Sequence, residues 1–347
     1  MADIRREHLV LGEQHIAVGE KRVVRVPVTV DLDGGEVAVW IHAIRGAKSG
    51  PTLGLLGLQH GNEWFVIDLF RQLVAELEPD KMQGTVLAVP VCSPPAFGAV
   101  QRVTDPASDA PDLNRVWPGD GDNWLPNQLA RVIDREVLKQ CDALLDFHMA
   151  PWGNSVCGII YGSDYDDPEV SQRCRDLGIA FGLPGLERQH VLQVFPGPRS
   201  ALGYASNRLG IPCLGVEIGG SGFSSEQEAS WTAAGLRGIK NVMRHLGILE
   251  GAIEKPDRIF EHSPAILVKP NVGGLLIPER ATESLMREVA KGEVLARVVS
   301  PYTFEELERL VAPCDGYLVH ISRSQPVRPG GWAFAVIDAE SGEWIVP

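Results

Sequence analysis

Gln59-His60-Gly61-Asn62-Glu63-Trp64 sets a histidine and a carboxylate three residues apart, just after the apolar run Pro51 to Leu58 and just before a helical pattern. Where a buried strand stops, such a pair can turn an imidazole nitrogen and a carboxylate oxygen toward one cation. A catalytic zinc site needs three protein ligands and a fourth position for water, and Asp146-Phe147-His148 offers the third ligand at another strand end. Glu217 closes a further apolar run, Pro212 to Ile218, beside Gly219-Gly220. A partly desolvated carboxylate there, with room for a substrate, suits a general base that later returns its proton to a leaving nitrogen. An ion pair or a helix cap is the competing reading of Glu217. Singly, a His-x-x-Glu or a lone histidine says little. What points to a site is that His60, His148 and Glu217 all fall at carboxyl ends of strands, where open α/β sheets leave their crevice.

The surrounding pattern supplies those strands. Residues 21 to 43 alternate around Asp33-Gly34-Gly35 and predict a hairpin, with Pro27 marking its first strand as an edge. Short apolar strands are expected over 52–58, 84–91, 143–147, 158–161 and 212–218, with helices over 63–78, 123–139 (capped by Asn123), 168–181, 201–209 (closed by Gly210) and 224–249. The long loop after residue 91 carries Arg102 and Asp112-Leu113-Asn114-Arg115, too many specific polar residues for a mere connection. Strand and helix alternating over some two hundred residues argue an α/β sheet with helices on both faces. After Gly251 the texture changes to short alternating runs cut by Gly and Pro, an all-β pattern. The expected division is residues 1–250 and 257–347.

Composition excludes several classes. A net charge of -13 with no basic run repels phosphate backbones, so no nucleic-acid partner is expected. No stretch reaches membrane-spanning length, and Met1 to Arg6 lack the apolar core of a secretion signal, so a cytoplasmic protein is expected. The six cysteines show no C-x-x-C spacing and read as reduced and structural. His8, His15, His42, His245, His262 and His320 have no ligand partners in the pattern and read as bland, and His190 as solvated loop.

His60-Gly61-Asn62-Glu63, Asp112-Leu113-Asn114-Arg115, His148 and Gly215-Val216-Glu217-Ile218-Gly219 together resemble the succinylglutamate desuccinylase and aspartoacylase family, over nearly the whole chain. The resemblance implies a zinc-carboxypeptidase-like mixed sheet with helices on both faces. It implies that His60, Glu63 and His148 ligate one Zn2+ per chain and that Glu217 serves as base and then acid. Asp112 would hold a ligating histidine in its tautomer, Asn114 and Arg115 would grip a substrate carboxylate, and Arg102 would stabilise the oxyanion. The family arginine for a second substrate carboxylate has no clear match, Arg199 and Arg208 lying in the right region, so acetylaspartate or succinylglutamate specificity is not implied.

Residues 272–330 resemble the barrel-sandwich hybrids of biotinyl and lipoyl carriers but lack the carrier lysine at the hairpin tip. The small all-β part is therefore expected to pack beside the active-site mouth and favour small substrates. The expected activity is zinc-dependent hydrolysis of the amide of a small N-acyl amino acid. A metallocarboxypeptidase acting on small peptides and a non-catalytic metal or carboxylate binder are the alternatives. Oligomeric state, including a homo-oligomer, stays open.

Overall fold

Alternation fixes the first strands. The computed structural model describes residues 9–104, 110–150, 154–220 and 224–347; the secretion-signal reading of residues 1–6, and His8, lie outside them. A small hairpin, β1 (Leu9–Leu11) and β2 (Gln14–Ile16), precedes the predicted one, β3 (Lys21–Val30) and β4 (Glu36–Arg45). Gly34 turns it at φ 82°, the conformation a tight turn asks of glycine. β3 ends the large sheet, and its pairing slips between Pro27 and Thr29, as the missing N–H of proline requires.

Next come β5 (Lys48–Leu56), α1 (Phe65–Glu76), β6 (Gln83–Val89), α2 (Pro94–Gly98), α3 (Leu125–Glu136) and β7 (Ala143–His148). β7 is buried throughout, because helices cover both faces of the parallel centre. Then follow β8 (Asn154–Gly162), α4 (Pro168–Phe181), β9 (Gly185–Gln189), α5 (Ala201–Arg208), β10 (Cys213–Gly220) and α6 (Ser225–His245). Gly210, at φ 68°, follows α5 as the sequence led one to expect.

Three expectations change. Asn123 does not cap α3; Trp124 precedes the helix without a side-chain cap, and Asn123 Oδ1 accepts from Arg131 instead. The strand expected over 158–161 is nine residues long, Asn154–Gly162. β9 was not foreseen, since Gly-Leu-Glu-Arg-Gln has no apolar alternation, and only pairing with strands distant in sequence makes it a strand.

The all-β part contributes β11 (Ile259–His262), β12 (Ile266–Val268), β13 (Gly274–Pro278), β14 (Glu288–Val289), β15 (Val294–Val299), β16 (Glu306–Val311), β17 (Gly316–Ser322), β18 (Gln325–Val327), β19 (Phe334–Asp338) and β20 (Gly342–Ile345). Four of these form an antiparallel sheet of their own, β16-β15-β13-β18. Leu276, Leu295, Val298, Leu318 and Phe334 belong to a core beneath it, separate from the main one. The rest continue the large 14-stranded sheet, whose main path runs β12-β19-β17-β8-β10-β7-β5-β6-β4-β3, with β9 beside β8 and β11 beside β9. The seam is polar as well as hydrogen-bonded along its backbone: Arg175 of α4 holds Glu261 of β11 through two nitrogens, at 2.7 and 2.9 Å, and Tyr161 of β8 donates to the same carboxylate. Among the described residues no helix is long and apolar enough to cross a membrane, and all six cysteines are free.

Candidate active site

β5 stops at Leu56, and the next few residues fold tightly back before α1. Gly61 is forced here by a close approach, since a Cβ on it would lie 2.0 Å from the backbone of Ala96 in α2. That packing buries His60 and Glu63, at 3% and 4% exposure, while the end of β7 delivers His148. His60 Nδ1 lies 2.8 Å from Glu63 Oε1 and His148 Nδ1 lies 2.9 Å from Glu63 Oε2. One ligand atom from each residue falls within 4.8 Å of the other two.

Each ring is held from behind. His60 Nε2 faces both oxygens of Asp112 at 3.2 Å, and His148 Nε2 faces Asp146 Oδ2 at 3.1 Å. Asp146 in turn accepts from Gln59 Nε2 at 2.7 Å, and Gln59 Oε1 accepts from the Trp117 indole at 2.9 Å. Carboxylates on the Nε2 side can hold each imidazole proton there, which frees the Nδ1 atoms facing Glu63 to act as ligands. Two lone pairs and a carboxylate turned toward one point repel each other unless positive charge lies among them. The donor set therefore fits a divalent cation.

Electrostatics agree with the geometry. Burial would push Glu63 up, but the two imidazoles outweigh it and hold the carboxyl at about 2. Burial would likewise lower both histidines, yet Glu63 with Asp112 raises His60, and Asp146 with Glu63 raises His148 well above the ordinary value. Asp112, opposed by burial, is held well below the usual carboxylate range by His60 and Arg102. The pocket attracts positive charge, as protons or as metal.

Strand register sets the rest of the site. Glu217 on β10 pairs with His148 on one side and with Gly158 of β8 on the other, so all three lie on one face of the sheet. Gly158 adds no side chain, and a cavity of about 370 Å3 opens over this row. Glu217 has no hydrogen-bond or ion-pair partner among the described residues, and burial raises its pKa despite the nearby His148.

Three polar residues of the long loop also line the cavity. Arg102, half exposed, reaches Asp112 at 3.4 Å and Glu63 at 3.6 Å. Arg115 lies over the ring of Phe195, 5.1 Å from its centroid. Asn114 is more committed: its Oδ1 accepts from the Ala201 N–H at the start of α5, at 2.8 Å, and its Nδ2 lies 3.2 Å from His148 Nε2. Arg199 is bound elsewhere, to Asp120 and the Val116 carbonyl, and neither it nor Arg208 lines the cavity.

Residues 49–246 match the succinylglutamate desuccinylase/aspartoacylase catalytic domain. The chain belongs to the succinylglutamate desuccinylase/aspartoacylase family. It is 30% identical over 282 residues, 79% of this chain and 78% of the other, to an N-alpha-acetyl-L-2,4-diaminobutyric acid deacetylase from Halomonas elongata. A succinylglutamate desuccinylase/aspartoacylase from Rhodobacter sphaeroides superimposes with a TM-score of 0.75 at 26% identity, over 92% of this chain and 94% of that one. The product-bound ectoine utilization protein of Ruegeria pomeroyi gives 0.77 at 24% identity, over 93% and 97%. This desuccinylase/aspartoacylase family consists of amide-bond deacylases, and the large mixed sheet of this chain is the fold of its solved members.

Within this family framework some lining residues escaped the sequence reading. His262 and His320, read there as bland, both line the cavity. So does Glu187 of the unforeseen β9. Asp146 was read only as part of the His148 stretch, although its place two residues earlier on the same strand already put both side chains on one face.

Proposed function

We propose that this protein is a zinc-dependent deacylase that hydrolyses the amide of a small N-acyl amino acid. His60, Glu63 and His148 would hold one zinc, and a zinc bound there supplies Lewis acidity, lowering the pKa of water to about 7 and polarising the substrate carbonyl. Asp112 and Asp146 keep the two imidazoles in the tautomer that ligation needs. Glu217 takes a proton from the attacking water and delivers it to the amine as the carbon–nitrogen bond breaks. Arg102 holds the negative charge that develops on the carbonyl oxygen. Arg115, with the Asn114 amide, holds the amino acid's carboxylate. Residues 257–347 act as one wall of the chamber, and a volume near 370 Å3 suits a small acylated amino acid of the kind named for the Halomonas elongata relative.

The observation that carries this reading is the row His148, Glu217, Gly158, which sets an unpartnered carboxylate beside the inward-facing His60–Glu63–His148 group with open space above it. The test is a panel of acetyl, succinyl and formyl derivatives of amino and diamino acids, run alongside dipeptides on protein of measured metal content. Zinc-dependent release of amine from acyl amino acids is expected. Release from dipeptides alone, or equal activity after complete metal removal, would refute it.

A further inference from the structure

Away from the His60–Glu63–His148 group, two strands beyond Glu217, the cavity carries a carboxylate that the deacylation scheme does not use. Glu187 on β9 pairs in register with Ile160 of β8 and with His262 of β11, which puts its side chain on the same sheet face as Glu217. The strand order β7-β10-β8, with β9 next, sets it two strands beyond Glu217, about 10 Å to the side. Its visible partners are Gln189 Nε2, at 3.1 Å, and the backbone N–H of Ala265. Among the described residues no lysine or arginine forms an ion pair with it. His262, its register partner, is committed through Nδ1 to the Ser263 carbonyl at 2.7 Å, and burial keeps that ring neutral near neutral pH. Leu267, Val319 and Ala335 make the neighbouring wall apolar.

A carboxylate in apolar surroundings without a counter-cation is costly, and it is a feature a charged ligand would relieve. A second unused atom faces the same space. His320, buried at 6% exposure on β17 and paired with Val156 on the cavity face of β8, has no hydrogen-bond partner for Nε2 among the described residues.

We propose that Glu187 is the specificity residue of the chamber, holding a substrate ammonium group two strands beyond Glu217 on the same sheet face. The proposal rests on the deacylase reading and narrows it to substrates with a free amine. It also disfavours acyl groups or amino acids that end in a second carboxylate, which Glu187 and Glu217 would repel.

Matched pairs test it. In one, Nα-acetyl-L-2,4-diaminobutyrate is compared with Nα-acetyl-L-norvaline, which puts a methyl where the ammonium was. In the other, the ammonium rides on the acyl group, β-alanyl against butanoyl on L-2-aminobutyrate. In wild-type protein at least one pair should show kcat/KM favouring the ammonium by about 30-fold, and Glu187→Gln should bring that ratio to within about threefold of one. The pair that responds tells which piece of the substrate carries the cation. Ratios near one in both pairs, or a preference that survives Glu187→Gln, overturn the proposal while leaving deacylation intact. Failure to hydrolyse any of the four compounds overturns the deacylase reading, and the proposal with it. If the variant does not fold, the wild-type melting temperature decides: L-2,4-diaminobutyrate should raise it more than L-norvaline, or β-alanine more than butanoate, at equal concentration, and equal shifts within both pairs count against Glu187.

Discussion

The two ends of the chamber differ in how completely their polar atoms are partnered. At the β5–β7 end, His60, Glu63, His148, Asp112, Asp146, Gln59 and Trp117 form a connected network with partners on both sides of each ring. At the β9–β17 end, Glu187 has no cation and His320 Nε2 no partner among the described residues. The first end is preorganised before any ligand arrives, as a metal site should be. On the proposed reading the second is complete only with a ligand in place, so one end determines what reaction is possible and the other which molecule undergoes it.

Four measurements would break or sharpen that contrast. The largest effect is expected from Glu217→Ala, which removes the proton carrier while leaving the His60–Glu63–His148 group whole: kcat should fall about 1,000-fold with metal content unchanged, and near-normal turnover would take Glu217 out of the chemistry. Arg102→Ala should lower kcat about 100-fold with a much smaller change in KM, because its charge matters most when the oxygen becomes negative. A pure KM effect would make Arg102 a binding residue instead.

The third concerns pH. Burial raises Glu187 to about 7 from an ordinary value of 4.5. The folded protein therefore binds a proton here that the unfolded chain has already lost, so the contribution of Glu187 to stability is full below about 4.5 and declines as pH rises through 7. Glu187→Gln lacks that decline, and its stability relative to wild type should climb by roughly 3 kcal/mol across the window. Parallel stability–pH curves for the two proteins would mean that the far wall is as well satisfied as the near one. Smallest is Asp146→Asn, which keeps the shape but weakens the hold on His148: metal affinity should drop by roughly tenfold, read by competition with a chelator. No change would show that a neutral amide holds His148 as well as the carboxylate does.

The same contrast explains what was legible in the sequence. His60 and Glu63 follow, and His148 closes, short apolar strands, and strand ends can be recognised without knowing which strands are neighbours. Glu217 was read as a strand end too, but β10 runs on to Gly220 because it pairs with β8 there. The hairpin of residues 21 to 43 and its edge position at Pro27 followed from alternation and a missing donor. Glu187, His262 and His320 were invisible for the opposite reason. Their side chains reach the chamber only because β9 and β17 both flank β8 and β11 joins β9, pairings between non-adjacent segments that leave no local period. Asp146 was within reach, since its spacing from His148 alone puts both on one face. Asn123 failed as a cap because its side chain turns to Arg131 instead.

The seam where β8 meets β17 and β9 meets β11 runs through the chamber rather than around it. A chimera that took its last ninety or so residues from another family member would thus inherit a new far wall together with new strand edges. Such exchanges would transfer substrate preference only where the donor reproduces the register at Val156 and Glu187, so these two positions are the splice marks by which recombinant designs in this fold should be aligned.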